Sequence, residues 1–215
     1  MVVLRNWVDK AETMKPALFM KSFRDYMTVN VKSKHALSDL QYVVNRKYFG
    51  VVDYLKAIAD ASGGLPMMLY LRNDAVGTKS IEAFCSAPGV KGVKWATPNP
   101  MRLAEAKEAC DPDIVWVGGL AEVWAPSFYA VGARGFTSGL INLWPERSLA
   151  IHAALEAGDY ARANALIAGM RAFEDIRAEE MNGTNVTGVK AALQAMGDDC
   201  GPTRPPSAWP LTEAQ

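Results

Sequence analysis

A lysine closes a short apolar run near the middle of the chain. Lys94 stands in the segment GVKGVKWAT, residues 89–97, which contains no acidic residue. A lysine withdrawn from water loses its proton more readily, and the neutral amine attacks carbonyl carbons to form a Schiff base. Lys94 is therefore either a candidate nucleophile or a strand-end lysine that extends its ammonium group to solvent. Lys91 is the weaker candidate, because it lies near the start of the same run.

Neighbouring apolar runs end in residues that suit a binding site beside such a lysine. Tyr70 ends the run LPMMLY and is either a proton relay or a core aromatic residue with its hydroxyl at the rim. Glycines would let a ligand approach the backbone, and serine and asparagine side chains would hydrogen-bond it. Residues of these kinds at the ends of the next two runs are Gly118, Gly119, Ser138, Gly139 and Asn142.

The apolar runs alternate with helix-like segments, as in an α/β protein. Strands are predicted at residues 65–71, 89–97, 113–120 and 134–143. This alternation predicts parallel strands joined by crossover helices, and strands that are apolar throughout are typical of a sheet covered on both faces. The strand ends that carry Tyr70 and Lys94 then lie at the edge where α/β barrels keep their chemistry.

Helices are predicted from apolar residues at helical spacing and from the residues that end them. The segment 51–61 has this spacing and is followed by a glycine pair, while Thr78 and Asn99 are predicted N-caps. Residues 159–180 predict one long helix without a strand behind it. A further helix and a proline-rich tail complete the sequence.

Composition and charge exclude several classes of protein. The 215 residues are 50% hydrophobic with a net charge of zero, so they predict a core and give no electrostatic case for binding nucleic acid or an anionic membrane. Three cysteines are too few for a disulfide framework and are expected as thiols in a reducing compartment. The sequence has no apolar run long enough for a membrane span and no signal-peptide core, so we expect a cytoplasmic protein.

From about residue 50 to its end, the sequence resembles the dihydrodipicolinate synthase / N-acetylneuraminate lyase family. The segments that carry the resemblance are LPMMLYLRN, GVKGVKWAT, GARGFTSGLIN, GVKAAL and GPTRPP. Members of this family are (β/α)8 barrels with extra C-terminal helices, and they act on 2-keto acids, commonly pyruvate, through a lysine Schiff base. The resemblance implies that Lys94 is the nucleophile and Tyr70 the catalytic tyrosine. It also implies that neither a metal nor an organic cofactor is needed, because the iminium itself is the electron sink.

Several positions depart from the family pattern. Leu71 follows the tyrosine, and Ala75 stands where dihydrodipicolinate synthases place an arginine for their second substrate. These departures favour a relative that acts on another sugar-derived keto acid. Trp95 replaces a small or acidic residue after the lysine and is expected to shape the pocket if its ring reaches the site. The sequence also has no stretch like the Gly-Thr-Thr-Gly-Glu loop with which the family grips the keto-acid carboxylate.

The predicted fold is the C-terminal part of a TIM barrel. Residues 1–47 form a leader that matches the family poorly, 48–158 a partial barrel with the last four βα units, and 159–215 C-terminal helices and a tail. A full barrel needs eight units in about 250 residues, so open sheet edges are expected to favour a homo-oligomer. Two functions stay open. One is a Schiff-base-forming lyase or synthase acting on pyruvate or another 2-keto acid: an aldolase, a dehydratase or a dihydrodipicolinate-synthase-like enzyme. The other is a catalytically incomplete, truncated paralogue that keeps the half-barrel as a structural or assembly module.

Overall fold

The computed structural model describes residues 50–204 and 210–215, so the predicted leader, 1–47, lies outside the described residues. Residues 64–215 belong to one compact unit, and helix α1, Val51–Ala61, belongs to the unit before it. Helix α1 confirms the helix predicted at this position. Its C-cap is Ser62, after which Gly63 and Gly64 adopt positive φ angles of 65° and 86° that favour glycine.

Three parallel strands form the sheet. They are β1, Met67–Leu71, β2, Val90–Trp95, and β3, Val115–Gly118, in the order β1-β2-β3. Their apolar sequences and parallel pairing confirm the first three predicted strands. The register aligns Tyr70 with Lys94, and Lys94 with Val117, so side chains from neighbouring strands share one face near the carboxyl ends.

The predicted fourth strand, 134–143, forms only in its first residues. The N–H groups of Arg134 and Thr137 donate to the carbonyls of Trp116 and Gly118, around a single parallel bridge between Gly118 and Phe136. The second half differs from the prediction, because residues Leu140–Asn142 form a 3-10 turn. Local side-chain hydrogen bonds explain the change. The Ser138 hydroxyl accepts from the backbone N–H of Ile141, and the Asn142 amide donates to the carbonyl of Gly139. Such bonds give the backbone an alternative to a strand ladder.

Helices connect the strands and cover one face of the sheet. They are α2, Thr78–Cys85, α3, Pro100–Ala109, α4, Ala125–Ala130, and α5, Pro145–Glu156, with a 3-10 turn Glu122–Trp124 before α4. The N-cap prediction is confirmed at Asn99, whose side chain accepts from the N–H of Arg102. It is wrong at Thr78, which is the first helical residue after the N-cap Gly77. The buried core includes Ile81, Val93, Trp95, Leu103, Trp116 and Phe128.

Three further helices follow: α6, Tyr160–Ala168, α7, Arg171–Asn182, and α8, Asn185–Ala195. The single long helix predicted over 159–180 is wrong, because the chain turns at Gly169, the C-cap of α6. This turn places Met170 in a buried cluster with Ile167 and Leu155, so the break lets both helices bury their apolar faces. No helix within the described ranges is long and apolar enough to cross a membrane.

Candidate active site

A pocket of about 360 Å³ lies at the carboxyl ends of the strands. Tyr70 of β1 and Lys94 of β2 line it together with residues that follow β3. Six of the residues predicted for the site are brought together here: Tyr70, Lys94, Gly119, Ser138, Gly139 and Asn142. The remaining lining residues are Ala121, Thr137, Arg177, Asn185, Val186 and Val189.

Lys94 and Tyr70 are in direct contact in this pocket. The Nζ atom of Lys94 lies 4.3 Å from the centroid of the Tyr70 ring, a cation–π distance. Tyr70 is 52% exposed, so its ring forms part of an open wall. Within the described part of the chain, no carboxylate lies at salt-bridge distance from the Lys94 amine. Lys94 therefore presents its amine to the pocket without an ion-pair partner from these residues.

Gly119 lies against the stem of the lysine. A Cβ atom on Gly119 would sit 3.1 Å from the Cε atom of Lys94 and 2.8 Å from the Cβ atom of Ala96. The N–H of Gly119 donates to the carbonyl of Trp95 at 2.6 Å, which fixes this close approach. Only a residue without a side chain fits between β2 and the pocket at this point.

Trp95 and Gly118 do not line the pocket. Trp95 is 2% exposed, and its ring centroid lies 6.3 Å from that of Trp116, so the indole belongs to the core. A Cβ atom on Gly118 would sit 2.7 Å from the Phe128 ring. The absence of a side chain at Gly118 thus serves the packing of α4 against β3.

A buried carboxylate lies behind the residues that follow β3. The Ser138 hydroxyl donates to Oε1 of Glu122 at 2.6 Å, and the Ser148 hydroxyl donates to the same oxygen at 2.5 Å. Glu122 itself is fully buried. The sequence reasoning missed it, although an acidic residue in the apolar stretch GLAEVWA is a signal that could have drawn attention to it.

The C-terminal helices complete the pocket with residues that the sequence did not reveal. Arg177 of α7 forms a bidentate pair with Glu174, at 3.0 and 2.7 Å, and donates to the side-chain oxygen of Asn185. A Cβ atom on Gly139 would sit 2.8 Å from Val189 and 2.9 Å from Arg177. The small residue at 139 therefore lets α7 and α8 approach the strand ends.

The two cations that line the pocket differ in their partners. Lys94 and Arg177 are the two cations among the lining residues, which include no aspartate or glutamate, but Arg177 is already paired with Glu174. Lys94 is therefore the lining cation without a carboxylate partner among the described residues. Within residues 50–204 and 210–215, no cluster of three or more His, Cys, Asp or Glu side chains is placed to hold a metal ion.

Comparison with known proteins confirms the resemblance. Residues 37–215 match the model of the dihydrodipicolinate synthetase family. The chain is 28% identical to a probable 5-dehydro-4-deoxyglucarate dehydratase from Rhizobium rhizogenes and 31% identical to one from Streptomyces avermitilis, over 77% and 80% of its length. It covers 56% and 57% of those proteins, so it spans about half the length of these curated relatives.

A similar partial match is found among solved structures. The crystal structure of dihydrodipicolinate synthase from Oceanobacillus iheyensis matches with a TM-score of 0.71 and 33% identity, over 77% of this chain and 55% of that protein. The Proteus mirabilis N-acetylneuraminate lyase matches at 21% identity with a TM-score of 0.63 and so shows the fold alone. The predicted fold class, a partial TIM barrel with a helical extension, is confirmed.

Proposed function

The chain belongs to the dihydrodipicolinate synthetase family, and on that premise we propose that it is a Schiff-base-forming lyase or dehydratase of a 2-keto acid. The observation that carries the proposal is the position of Lys94. Its amine lies over the ring of Tyr70 in a pocket at the carboxyl ends of parallel strands. This is the edge at which TIM-barrel enzymes hold their catalytic groups.

The chemistry follows from the amine. The nitrogen of Lys94 adds to the ketone carbon, the adduct loses water, and the resulting iminium draws electrons from the neighbouring carbon. A proton on that carbon then becomes acidic, and its loss gives an enamine. Tyr70 is the group we assign to proton transfer, because its ring contacts the lysine and lines the same pocket. Elimination of a hydroxyl from the next carbon, or cleavage of a carbon–carbon bond, completes a lyase reaction.

The favoured substrate class is a sugar-derived keto acid rather than pyruvate alone. The curated relatives include probable 5-dehydro-4-deoxyglucarate dehydratases. The hydroxyl and amide groups of Ser138 and Asn142 line the same pocket and suit the hydroxyls of such a ligand. Ala75, in place of the arginine that the resemblance led us to expect, fits the same conclusion.

Borohydride trapping tests the proposal. The protein is incubated with pyruvate and with 2-keto-3-deoxy sugar acids, reduced, and examined by intact mass spectrometry and peptide mapping. We expect an adduct that maps to Lys94 and is lost in Lys94→Ala. Lys91→Ala is the matched control, since Lys91 is an exposed lysine on the same strand. An adduct retained in Lys94→Ala and lost in Lys91→Ala would contradict the assignment.

A second candidate is a half-barrel that serves as an assembly module without turnover of its own. It is favoured by the exposed inner face of the sheet, where Met68 is 54% and Val115 51% exposed. Both flank Gly92 in the strand register. An absence of any adduct, together with a homo-oligomer in light scattering, would favour this candidate over the enzyme.

A further inference from the structure

A carboxylate buried behind the pocket is only half satisfied. Both hydroxyl donors to Glu122, from Ser138 and Ser148, bind its Oε1 atom. Its Oε2 atom is also buried and has no hydrogen-bond partner among the described residues. Burying a carboxylate in this way is costly, and stability alone would favour an apolar residue at this position. A role at the neighbouring site explains why the carboxylate is kept.

The backbone before Glu122 is strained in a way that places the carboxylate there. Ala121 has φ 64° and ψ −172°, a region that residues other than glycine rarely adopt. Its N–H donates to the carbonyl of Thr137, next to Ser138. Ala121 lines the pocket, and the next residue is fully buried, so the strained turn carries Glu122 behind Ser138. Strain of this kind is found at sites where geometry is part of the function.

Hydrogen-bond accounting shows what Ser138 offers a ligand. A serine hydroxyl has one hydrogen and two lone pairs. The hydrogen of Ser138 is directed to Glu122, whose carboxylate can only accept, and one lone pair accepts from the N–H of Ile141. One lone pair remains unused, and Ser138 is among the residues that line the pocket. Ser138 is therefore available to a ligand only as a hydrogen-bond acceptor.

We infer that Glu122 is a positioning residue that holds Ser138 as a hydrogen-bond acceptor, so that the site selects keto acids bearing a hydroxyl that donates to it. The inference rests on the proposed function and deepens it. A ligand carboxylate or ketone oxygen, which can only accept, gains nothing from Ser138. A sugar hydroxyl can donate, so a hydroxylated 2-keto acid is preferred over its deoxygenated analogue.

The test uses two six-carbon 2-keto acids that differ in hydroxylation, 2-keto-3-deoxygluconate and 2-oxohexanoate. The concentration of each that gives half-maximal borohydride trapping is measured, and the ratio of the two is the selectivity. One hydrogen bond accounts for about a tenfold preference, so Ser138→Ala is expected to lower the selectivity by about that factor. Ser148→Ala is the matched control, because it removes the other donor to Glu122 but leaves the pocket lining unchanged.

Glu122→Leu separates positioning from structure. Without the carboxylate, the Ser138 hydrogen is free to turn into the pocket, so Ser138 can then donate to a ligand as well as accept. We therefore expect Glu122→Leu to bind O-methylated 2-keto-3-deoxygluconate, whose ether oxygens can only accept, about tenfold better relative to the unmethylated acid than wild type does. A purely structural role would lower stability and leave this ratio in the folded fraction at its wild-type value, which would overturn the inference. Unchanged selectivity in Ser138→Ala would overturn it as well. Where Glu122→Leu does not fold, Glu122→Gln takes its place, because its amide can donate to Ser138 and free the serine hydrogen.

A measurement of non-covalent binding separates this inference from the Schiff-base proposal. Binding of the same two acids to Lys94→Ala is followed by ligand-observed NMR, which needs no covalent adduct. A preference for the hydroxylated acid that disappears in the double variant with Ser138→Ala supports the inference, even if wild-type protein forms no adduct. Equal binding of the two acids to Lys94→Ala would overturn it, whatever the trapping result.

Discussion

The substitution Gly119→Ala tests the geometry around the candidate nucleophile. The new Cβ atom would lie 2.8 Å from the Cβ atom of Ala96, 3.0 Å from the carbonyl oxygen of Trp95 and 3.1 Å from Cε of Lys94. The first two atoms belong to β2 or to the residue directly after it and cannot move without shifting the backbone. Overpacking of this kind costs about 1–3 kcal/mol, and we expect Gly119→Ala to lose that much free energy of unfolding.

The same substitution should affect the reaction more strongly than the fold. The Cε atom of Lys94 is the most mobile of the three neighbours, so the methyl group displaces the lysine amine from its position over Tyr70. A displacement of about 1 Å in a reacting group lowers rates by about a hundredfold. We therefore expect borohydride trapping of a keto acid to slow by about that factor under conditions in which the variant is folded.

Urea denaturation measures the stability, and mass spectrometry of quenched samples measures the trapping rate. Gly135→Ala is the matched control, because its Cβ atom would lie at an ordinary 3.7 Å from the methyl groups of Val117. We expect this control to stay within about 1 kcal/mol of wild type and to trap at the wild-type rate. Wild-type stability and trapping in Gly119→Ala would refute the packing described for Gly119. Lost stability with normal trapping would refute the expected displacement of the Lys94 amine.

Three further predictions concern strain and buried acids. Ala121→Gly should raise the free energy of unfolding, because relief of about 1–3 kcal/mol of strain exceeds the added chain entropy of about 0.4–1 kcal/mol; a lower urea midpoint would contradict this. Burial, aided by a hydrogen bond with Cys110, raises the pKa of Cys85 to about 12. A thiol reagent at about pH 8 should therefore label the exposed Cys200 quickly and Cys85 only after unfolding, and equal rates would refute the burial of Cys85. Burial likewise raises the pKa of Tyr129 to about 12 from an ordinary 10.0, as it raises that of Cys85 from 9.0. Both groups keep protons in the folded state that the unfolded state releases, so stability should be full below pH 9.0 and fall as the pH rises toward 12, and a flat profile would contradict this.

The apolar runs predicted the strands well because a buried strand requires apolar residues that are adjacent in the sequence. Val93 and Trp95 are buried, and the runs that contain them and their neighbours on β1 and β3 pair as expected. The expectation that both faces of the sheet are covered is not met among the described residues, where Met68 and Val115 are more than half exposed. An apolar sequence shows that a face suits burial, whereas what covers it depends on residues elsewhere.

The two elements that differ from their predictions share a cause. The run at 134–143 is apolar enough for a strand, but the side chains of Ser138 and Asn142 bind nearby backbone groups and favour a turn. The segment 159–180 has helical periodicity throughout, but burial of Met170 requires a break after Gly169. In each case a tertiary or side-chain contact overrides a periodicity that is correct on both sides of the error.

Some residues of the candidate site could likewise be predicted from the sequence, and others could not. The period of a strand and the parallel register suffice to bring Tyr70 and Lys94 to one face, so both could be predicted from their places at strand ends. Glu122 could not, because its importance lies in its burial and in the direction of two serine hydroxyls. Arg177 could not either, because it reaches the pocket only through the path of α7 after the broken helix.

Two glycines, which have no side chain to hold neighbouring elements apart, link the parts of this pocket. Gly119 lets the strand ends close around the stem of Lys94, and Gly139 lets Arg177 and Val189 approach from the C-terminal helices. The pocket thus takes residues from both sides of the boundary predicted at 158/159, although the sequence changes its pattern there. A helical extension that only stabilised the sheet would not need glycine at 139. The close approach of Arg177 and Val189 to Gly139 is better explained if α7 and α8 take part in holding the keto acid that we propose as the ligand.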